Sequence, residues 1–388
     1  MAALTKEPVT LHNPSYCDDT KAMIACLRAL GLRIETSLNQ ILVYDDISII
    51  KNNSYELFAY DSGTTIRFLL ALLCLVPGVK VIKGNARLNE RPIKDLVEAL
   101  QQLGAKIDYL EKEGQAPLKI HSSTLSAGEV LINSSMSSQF FSALLMIAPL
   151  LDGIKIRLAG ELISKPYATM TTNMMREWNV NVLESNQNEY DVLPKQCYQK
   201  NQYTIEGDYS CAGYFFAIGA LTSSTITLKN LNSYSAQADR KFLTILERMG
   251  NKICIRDREI TLIGNQVFPL SIEMEDCPDQ VQTMAVLAAF AKGVTKISGV
   301  RSLRLKETER VHALKNELGK MGIRTEDTHD TLTIYGGKPH AATIDTYGDH
   351  RMAMAFAVAG TKLSGMKIKE PEVVNKTFPG FWDKLRSL

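Results

Sequence analysis

Apolar and polar positions along the chain recur at a fixed distance. Five stretches, FLLALLCLVPGVKVIKG, FSALLMIAPLLDGIKIRLAG, YFFAIGALTSSTITLKN, MAVLAAFAKGVTKISG and MAFAVAGTKLSGMKIKE, each read as an apolar helix, a turn and a short strand. Their turn positions, Gly78, Gly153, Ser224, Gly293 and Gly365, are spaced 75, 71, 69 and 72 residues apart. A second series alternates with the first: MIACLRALGLRI, LVEALQQLGAKI, NMMREWNVNV, LTILERMGNKI and ALKNELGKMGIRT are amphipathic helices followed by β-hairpin patterns. The helix stops Gly31, Gly104, Asn179, Gly250 and Gly322 lie 71 to 75 residues apart, and Gly or Asn at that place suits a left-handed C-cap. One repeat is therefore a front helix, a strand, a polar loop, a back helix and a hairpin. Similarity by chance among Leu- and Ala-rich helices does not keep two series in step.

Counting back from Gly78 lands on Pro8, where PVTLHN has the pattern of the strand that follows a front helix. The seven residues before it are too few for the helix itself, so the first repeat is expected to lack its front half. A bound partner, a start site further upstream or a rebuilt N-terminus would have to cover the apolar face so exposed. At the other end VVNKTFPGFWDKL reads as a sixth back helix without a hairpin. Six repeats grouped three and three predict two lobes, 1–205 and 206–388, with the boundary near Tyr203 to Glu206 and a functional cleft between them.

Composition narrows the class. Of 388 residues 45% are apolar and 22% charged, ordinary globular usage that excludes a disordered chain. Lys plus Arg total 44 against 42 Asp plus Glu, so the net charge of +2 sets up no field for nucleic acid or a membrane surface, and any anion site must be local. The seven cysteines form no CxxC pair and do not cluster with the six histidines, which argues against zinc and for a reducing cytoplasm. Apolar runs such as FLLALLCLV are too short to span a bilayer, and the N-terminus lacks a signal-peptide pattern.

Candidate chemistry falls at equivalent places in the repeat. Front helices open on Asp61-Ser-Gly-Thr-Thr, Ser137-Ser-Gln, Tyr209-Ser-Cys-Ala-Gly, Pro278-Asp-Gln and Gly348-Asp-His-Arg. Helix starts of this kind either bind anions through free N–H groups or simply cap themselves, with Asp279 and His350 as capping residues. The strand-to-back-helix loops carry Arg91, Lys165, Lys306, Arg310 and Lys376, joined by Arg67 and Arg351 from the front helices. Guanidinium forks match phosphate and carboxylate, and lysine adds a compact charge and a transferable proton, so convergence of this set would make a double-anion site. Taken alone, KETER also fits a solvated helix start with an ordinary Glu307–Arg310 pair, and Arg91-Pro92 fits a turn with Pro92 in the first helical position.

The strings DSGTTIRFL, NARLNERPI, SSMSSQFFSALLMIAPLL, ISKPYATMTTNMM, IEGDYS, PDQVQTMAVLAAFA, LRLKETERVHALKNELGKMG, TYGDHRMAMAFA and NKTFPGF, in this order, resemble the enolpyruvyl transferases, in the branch whose acceptor is shikimate 3-phosphate. The resemblance runs from about Asp18 to the C-terminus. It implies an α/β fold of two lobes, each built from three βαβαββ repeats. It implies transfer of the enolpyruvyl group of phosphoenolpyruvate to the 5-hydroxyl of shikimate 3-phosphate, with release of phosphate, by a cytoplasmic monomer that uses no metal or organic cofactor.

By the same resemblance Gly63, Thr64, Arg91, Gln139, Arg310, Arg351 and Lys376 would hold the phosphoenolpyruvate anions, and Arg67 and His350 are counted with the substrate-binding residues. Ser137, Ser138, Ser164, Tyr167 and Lys306 would hold the acceptor. Asp279 matches the carboxylate that takes the hydroxyl proton, and Glu307 and Lys376 match the groups that handle protons at the other reactant. A lysine flanked by arginines should lose its proton more readily. The chain departs from the family pattern in having no PGSKSxSNR segment and in carrying Asp61 where many relatives have Asn. That departure leaves two other readings: a catalytically impaired homologue that binds a phosphorylated metabolite or a partner, and a transferase with a different acceptor such as a UDP-sugar. SSQ together with SKPY favours the shikimate acceptor.

Overall fold

The computed structural model describes the chain apart from residues 134–136, 161, 163, 164 and 187. The chain divides into two compact units, Met1–Ile205 and Glu206–Leu388, each with its own apolar core.

In the first unit, β1 (Val9–His12), α1 (Asp18–Ala29), β2 (Ile34–Ser37) and β3 (Gln40–Val43) make the first repeat. The second contains β4 (Ser54–Phe58), α2 (Gly63–Leu73), β5 (Val79–Lys83), the one-turn α3 (Ala86–Asn89), α4 (Lys94–Gln102), β6 (Lys106–Tyr109) and β7 (Leu118–His121). The third contains β8 (Gly128–Asn133), α5 (Ser138–Ile147), β9 (Ile154–Ala159), α6 (Lys165–Glu177), β10 (Val182–Asn186) and β11 (Glu189–Val192), and β12 (Gln202–Thr204) closes the unit. In the second unit the fourth repeat runs α7 (Tyr209–Thr222), β13 (Thr225–Leu228), α8 (Lys241–Arg248), β14 (Lys252–Arg256) and β15 (Glu259–Ile263). The fifth is β16 (Ser271–Glu273), α9 (Val281–Phe290), β17 (Gly293–Ser298), α10 (Arg310–Lys320), β18 (Arg324–Asp327) and β19 (Thr331–Gly336). The sixth is β20 (Thr343–Ile344), α11 (His350–Gly360), β21 (Lys367–Ile368) and α12 (Phe381–Arg386).

The front helices α2, α5, α7, α9 and α11 follow from their sequences. A helix that is apolar on every side is stable only when covered on every side. Val281 through Ala289 of α9 and His350 through Ala359 of α11 are all buried. In the second unit α7, α9 and α11 pack on one another, and in the first α2 packs on α5. Each large apolar side chain taken from water this way contributes about 1.5–3 kcal/mol.

The structure adds a strand that the sequence pattern did not show, directly before each front helix. These are β4, β8, β12, β16 and β20, and the two or three residues of β12, β16 and β20 are too few to display alternation. The repeat is therefore βαβαββ. Four sheets have four strands, in the orders β12-β1-β3-β2, β4-β5-β7-β6, β10-β11-β9-β8 and β16-β17-β19-β18, while β13-β15-β14 has three. Before β1 the chain makes a 3-10 turn at Ala2–Leu4.

Glycine and asparagine explain why the period is visible. All five helix stops have positive φ, from 66° at Asn179 to 104° at Gly250, as left-handed C-caps require. In the front series the left-handed residue of the fourth repeat is Ser223, at φ 56°, one place before the expected Ser224. Pro92 does not open α4; it precedes the N-cap Ile93. Lys80 of β5 is fully buried and donates from Nζ to Val76 O at 2.7 Å and Gly78 O at 2.9 Å, satisfying carbonyls of the turn after α2. Burial lowers its pKa to about 8.

At Gly78 two constraints coincide. Its φ is +88°, and a Cβ there would lie 2.0 Å from Asn53 O, whereas at Gly31 (φ +101°) a Cβ would meet nothing within 4 Å. Gly31→Ala is expected to cost about 1–2 kcal/mol from backbone strain alone. Gly78→Ala should cost about 1–3 kcal/mol more, because backbone must move. Urea midpoints of the two full-length variants test this, and equal midpoints would refute it.

Candidate functional site

In the first unit the N-terminal turn of α2 gathers a cationic cluster. Ser62 caps the helix, its Oγ accepting from Thr65 N at 3.2 Å, so the polar first turn is fixed before the apolar turns begin. Arg67, one turn on and only 6% exposed, donates from Nη1 to Gln139 Oε1 of α5 at 2.6 Å. Gln139 in turn donates from Nε2 to Thr64 Oγ1 at 3.3 Å. Gly63 is where a second guanidinium comes in: a Cβ on it would sit 2.9 Å from Arg91 Nη1 and 3.5 Å from Arg67 Nη1. The absence of a side chain at Gly63 lets both forks approach one spot over a helix N-terminus, an arrangement suited to an anion.

Beside it, Ser137 caps α5 by accepting from Gln139 N at 3.3 Å, and Ser138 is buried in the first turn. Tyr167 stands half-buried in the first turn of α6, which is tied to α5 by the 2.7 Å Ser142–Thr171 hydroxyl bond. Ser164 lies outside the described residues. Asp61 accepts from Asn85 Nδ2 at 2.8 Å. Lys165 forms an exposed pair with Glu184 at 3.1 Å.

In the second unit the starts of three front helices and the loop before α10 make one charge network. Arg310, 1% exposed, grips Asp349 with Nε at 2.7 Å and Nη2 at 3.3 Å. The same guanidinium reaches Asp279 Oδ1 at 3.0 Å and Glu307 Oε2 at 2.9 Å. Arg351 holds the other Asp279 oxygen at 2.8 Å and donates to the Tyr214 hydroxyl at 3.2 Å. Lys376 closes on Glu307 Oε1 at 3.7 Å. The Glu307–Arg310 pair is thus a buried link in a network, and not the solvated pair that KETER alone allows.

The capping roles also differ from the sequence expectation. Asp349 caps α11, accepting from Arg351 N at 2.8 Å, so His350 is not the cap. Asp279 sits inside a 3-10 turn, Pro278–Gln280, which Cys277 precedes. His350 is 2% exposed, and burial lowers its pKa to about 3, so it is a neutral imidazole among the charges.

The two aspartates here are driven apart. Burial opposes ionisation of Asp279, but Arg351, Lys306 and Arg310 prevail and hold it well below the usual carboxylate range. Asp239, in the 3-10 turn Ala238–Arg240, accepts a short hydrogen bond from Ser210 Oγ, while its Oδ1 is buried with no partner. Burial, then the Asp279 charge, push Asp239 up to about 7. Neighbouring carboxylates held in opposite protonation states can play acid and base in one medium.

Within each unit the structure therefore brings together nearly all residues singled out from sequence. Gly63, Thr64, Arg67, Arg91 and Gln139 meet in the first; Asp279, Lys306, Glu307, Arg310, Arg351 and Lys376 meet in the second, with His350 packed beside them. Sequence reasoning missed Asp349, Tyr214 and Asp239. Asp349 carried a usable signal, an N-cap residue just before an apolar helix, as with Ser62, Ser137 and Asp208. Tyr214 lies in an apolar run and Asp239 in a polar loop, and neither stands out.

The family described as EPSP synthase (3-phosphoshikimate 1-carboxyvinyltransferase) matches residues 1–385. A 3-phosphoshikimate 1-carboxyvinyltransferase of Shewanella piezotolerans is 38% identical over 394 residues, covering 100% of this chain and 92% of the relative. One from a Sulfurovum species is also 38% identical, over 399 residues, with the same coverage. A solved EPSP synthase of Acinetobacter baumannii superposes with a TM-score of 0.81 at 22% identity, covering 100% of this chain and 91% of that one. The two-lobed α/β architecture of βαβαββ repeats and the residues at the helix starts thus have one source: the chain belongs to the EPSP synthase (3-phosphoshikimate 1-carboxyvinyltransferase) family.

Proposed function

We propose that this chain transfers the enolpyruvyl group of phosphoenolpyruvate to the 5-hydroxyl of shikimate 3-phosphate and releases inorganic phosphate. The observation that carries the reading is the clamp on Asp279, one carboxylate oxygen on Arg310 and the other on Arg351, with Glu307 bridging Arg310 and Lys376. Four cations, Lys306, Arg310, Arg351 and Lys376, there surround carboxylates in unlike environments, which suits a doubly anionic substrate undergoing two proton transfers.

In this reading Gly63, Thr64, Arg67, Arg91, Gln139, Arg310, Arg351 and Lys376 take anionic groups of the substrates. Ser137, Ser138, Ser164, Tyr167 and Lys306 take the acceptor and its phosphate. The hydroxyl oxygen of the acceptor attacks the enol carbon as Asp279 removes its proton, and the methylene carbon receives a proton from the Glu307–Lys376 pair. Elimination then reverses the second transfer: the methyl group returns a proton and the C–O bond to phosphate breaks.

The low pKa of Asp279 makes it a weak base as long as both guanidiniums face it alone. Anions of the substrate that share Arg310 and Arg351 offset that field and make Asp279 more basic. Substrate binding thus switches the base on. His350, neutral, packs against the network without adding charge.

Phosphate release from phosphoenolpyruvate plus shikimate 3-phosphate is the test. Asp279→Ala should lower kcat by roughly 10²–10⁴-fold. Absence of turnover by the unaltered chain, or an Asp279→Ala variant of equal activity, would refute the reading.

Protonation of Asp239 gives a second outcome. Its carboxyl ionises near the ordinary 3.8 in the unfolded chain and near 7 in the folded one, so the folded state holds the proton longer. Stability from this group is complete below about pH 4 and is lost as pH rises to about 7. Asp239→Asn removes that loss, so the variant should gain on the unaltered protein between pH 5 and pH 8, as read by urea midpoints. A difference independent of pH would overturn the assignment.

A further inference from the structure

Asp279 is held from two sides, and only one of them is charged. Its carboxylate lies on Arg310 and Arg351, whereas its backbone turn, Pro278–Gln280, is held by the side chain of the next residue. Gln280 is fully buried, and its Nε2 donates to the backbone carbonyls of Tyr209 and Ser210, each at 3.2 Å, in the first turn of α7. Gly213 makes this approach possible: a Cβ there would lie 2.6 Å from Gln280 Nε2 and 2.8 Å from its Cδ. Glycine is otherwise a poor choice inside a helix such as α7.

These contacts close a circuit within the second unit. Tyr214, next to Gly213 in α7, accepts from Arg351 Nη1 at 3.2 Å, and Arg351 Nη2 donates to Asp279 Oδ2 at 2.8 Å. Asp279 and Gln280 are chain neighbours on one side of the circuit, Gly213 and Tyr214 on the other. Stability does not call for the amide. By α-helix geometry the carbonyls of Tyr209 and Ser210 already accept from the N–H groups four residues on, so α7 needs no extra donor. Among the described residues Gln280 Oε1 is buried with no hydrogen-bond partner, a state that costs free energy. A polar side chain kept in the core at a cost, beside a reactive carboxylate, points to the site and not to the packing.

We propose that Gln280 is the positioning residue of Asp279: seated on α7 through the gap at Gly213, its amide sets where the Pro278–Gln280 turn stands and so keeps the Asp279 carboxylate between Arg310 and Arg351, a role that rests on Asp279 being the base of the proposed transfer. Arg351 is tied to α7 through Tyr214, and Asp279 is tied to the same helix through Gln280. Base and guanidinium are thus referred to one support. A proton acceptor slightly out of place loses rate, while the anion contacts that hold the substrates persist. Because no part of Gln280 is exposed, its amide has no route to water, and a methyl group at position 213 must displace the turn itself.

Phosphate release and urea midpoints of the full chain test this together. Gln280→Met keeps the length of the side chain and removes the amide. Its urea midpoint should equal or exceed that of the unaltered chain, while kcat falls roughly 10–100-fold and KM for each substrate changes by less than about threefold. Gly213→Ala should lower both kcat and the midpoint. In a Gln280→Ala background the same substitution should instead raise the midpoint, since alanine is the better helix former once the amide is gone. Unaltered kcat in Gln280→Met, or a midpoint that falls along with its activity, would overturn the proposal. So would a loss of midpoint from Gly213→Ala that Gln280→Ala does not reverse. Turnover by the unaltered chain separates the two levels: with turnover and an unaffected Gln280→Met, the positioning role alone fails, and without turnover the transfer reaction fails with it. Should Gly213→Ala not fold, Gln280→Met decides.

Discussion

A helix buried on every side can meet polar groups only at its ends, and that constraint shapes both the core and the chemistry of this protein. The front helices cannot carry charge along their length without placing it in the core. Their unsatisfied first-turn N–H groups still need acceptors. Ser62, Ser137, Asp208 and Asp349 supply them. Polar residues are thereby concentrated at one end of each repeat, and substrate-binding groups can be built there without disturbing the packing below.

In the second unit the cap and the site share atoms. Asp349 accepts from the backbone of α11 and at the same time anchors Arg310, which in turn faces Asp279 and Glu307. A buried guanidinium is tolerable only with close carboxylates around it, and removing one partner of such a set is far worse than never having had it. The network is therefore rigid for thermodynamic reasons. Donors fixed before a substrate arrives need little rearrangement as charge develops, which is the main way a protein stabilises such a transition state. Asp239 shows the opposite solution to burial: with one oxygen unpartnered and a carboxylate nearby, it keeps its proton up to about pH 7.

Legibility followed the range of the interactions. The period was visible because each turn and C-cap depends on a local backbone angle that few residues adopt, as the positive φ at Gly31, Gly104 and Gly250 shows. The site cations were visible because Arg91, Lys306, Arg310 and Lys376 stand at matching places in the repeat, where their residue types already suggest anions. Asp239 and Tyr214 were not, because their roles come from what surrounds them in space. Entry strands such as β12 escaped for a related reason: three residues have no pattern of their own, and they become a strand only through their partner.

The pairing of β1 with β12 reaches beyond architecture to the order in which the molecule can be made. Thr10 and Gln202 are neighbours in one sheet, although nearly the whole first unit separates them along the chain. During synthesis from the N-terminus the sheet of the first repeat remains without its outer strand until the last residues of that unit emerge. Contacts of such long sequence separation form slowly, and an open sheet edge can pair with other chains in the meantime. A repeat that precedes most of its unit along the chain is thus finished only with that unit's end.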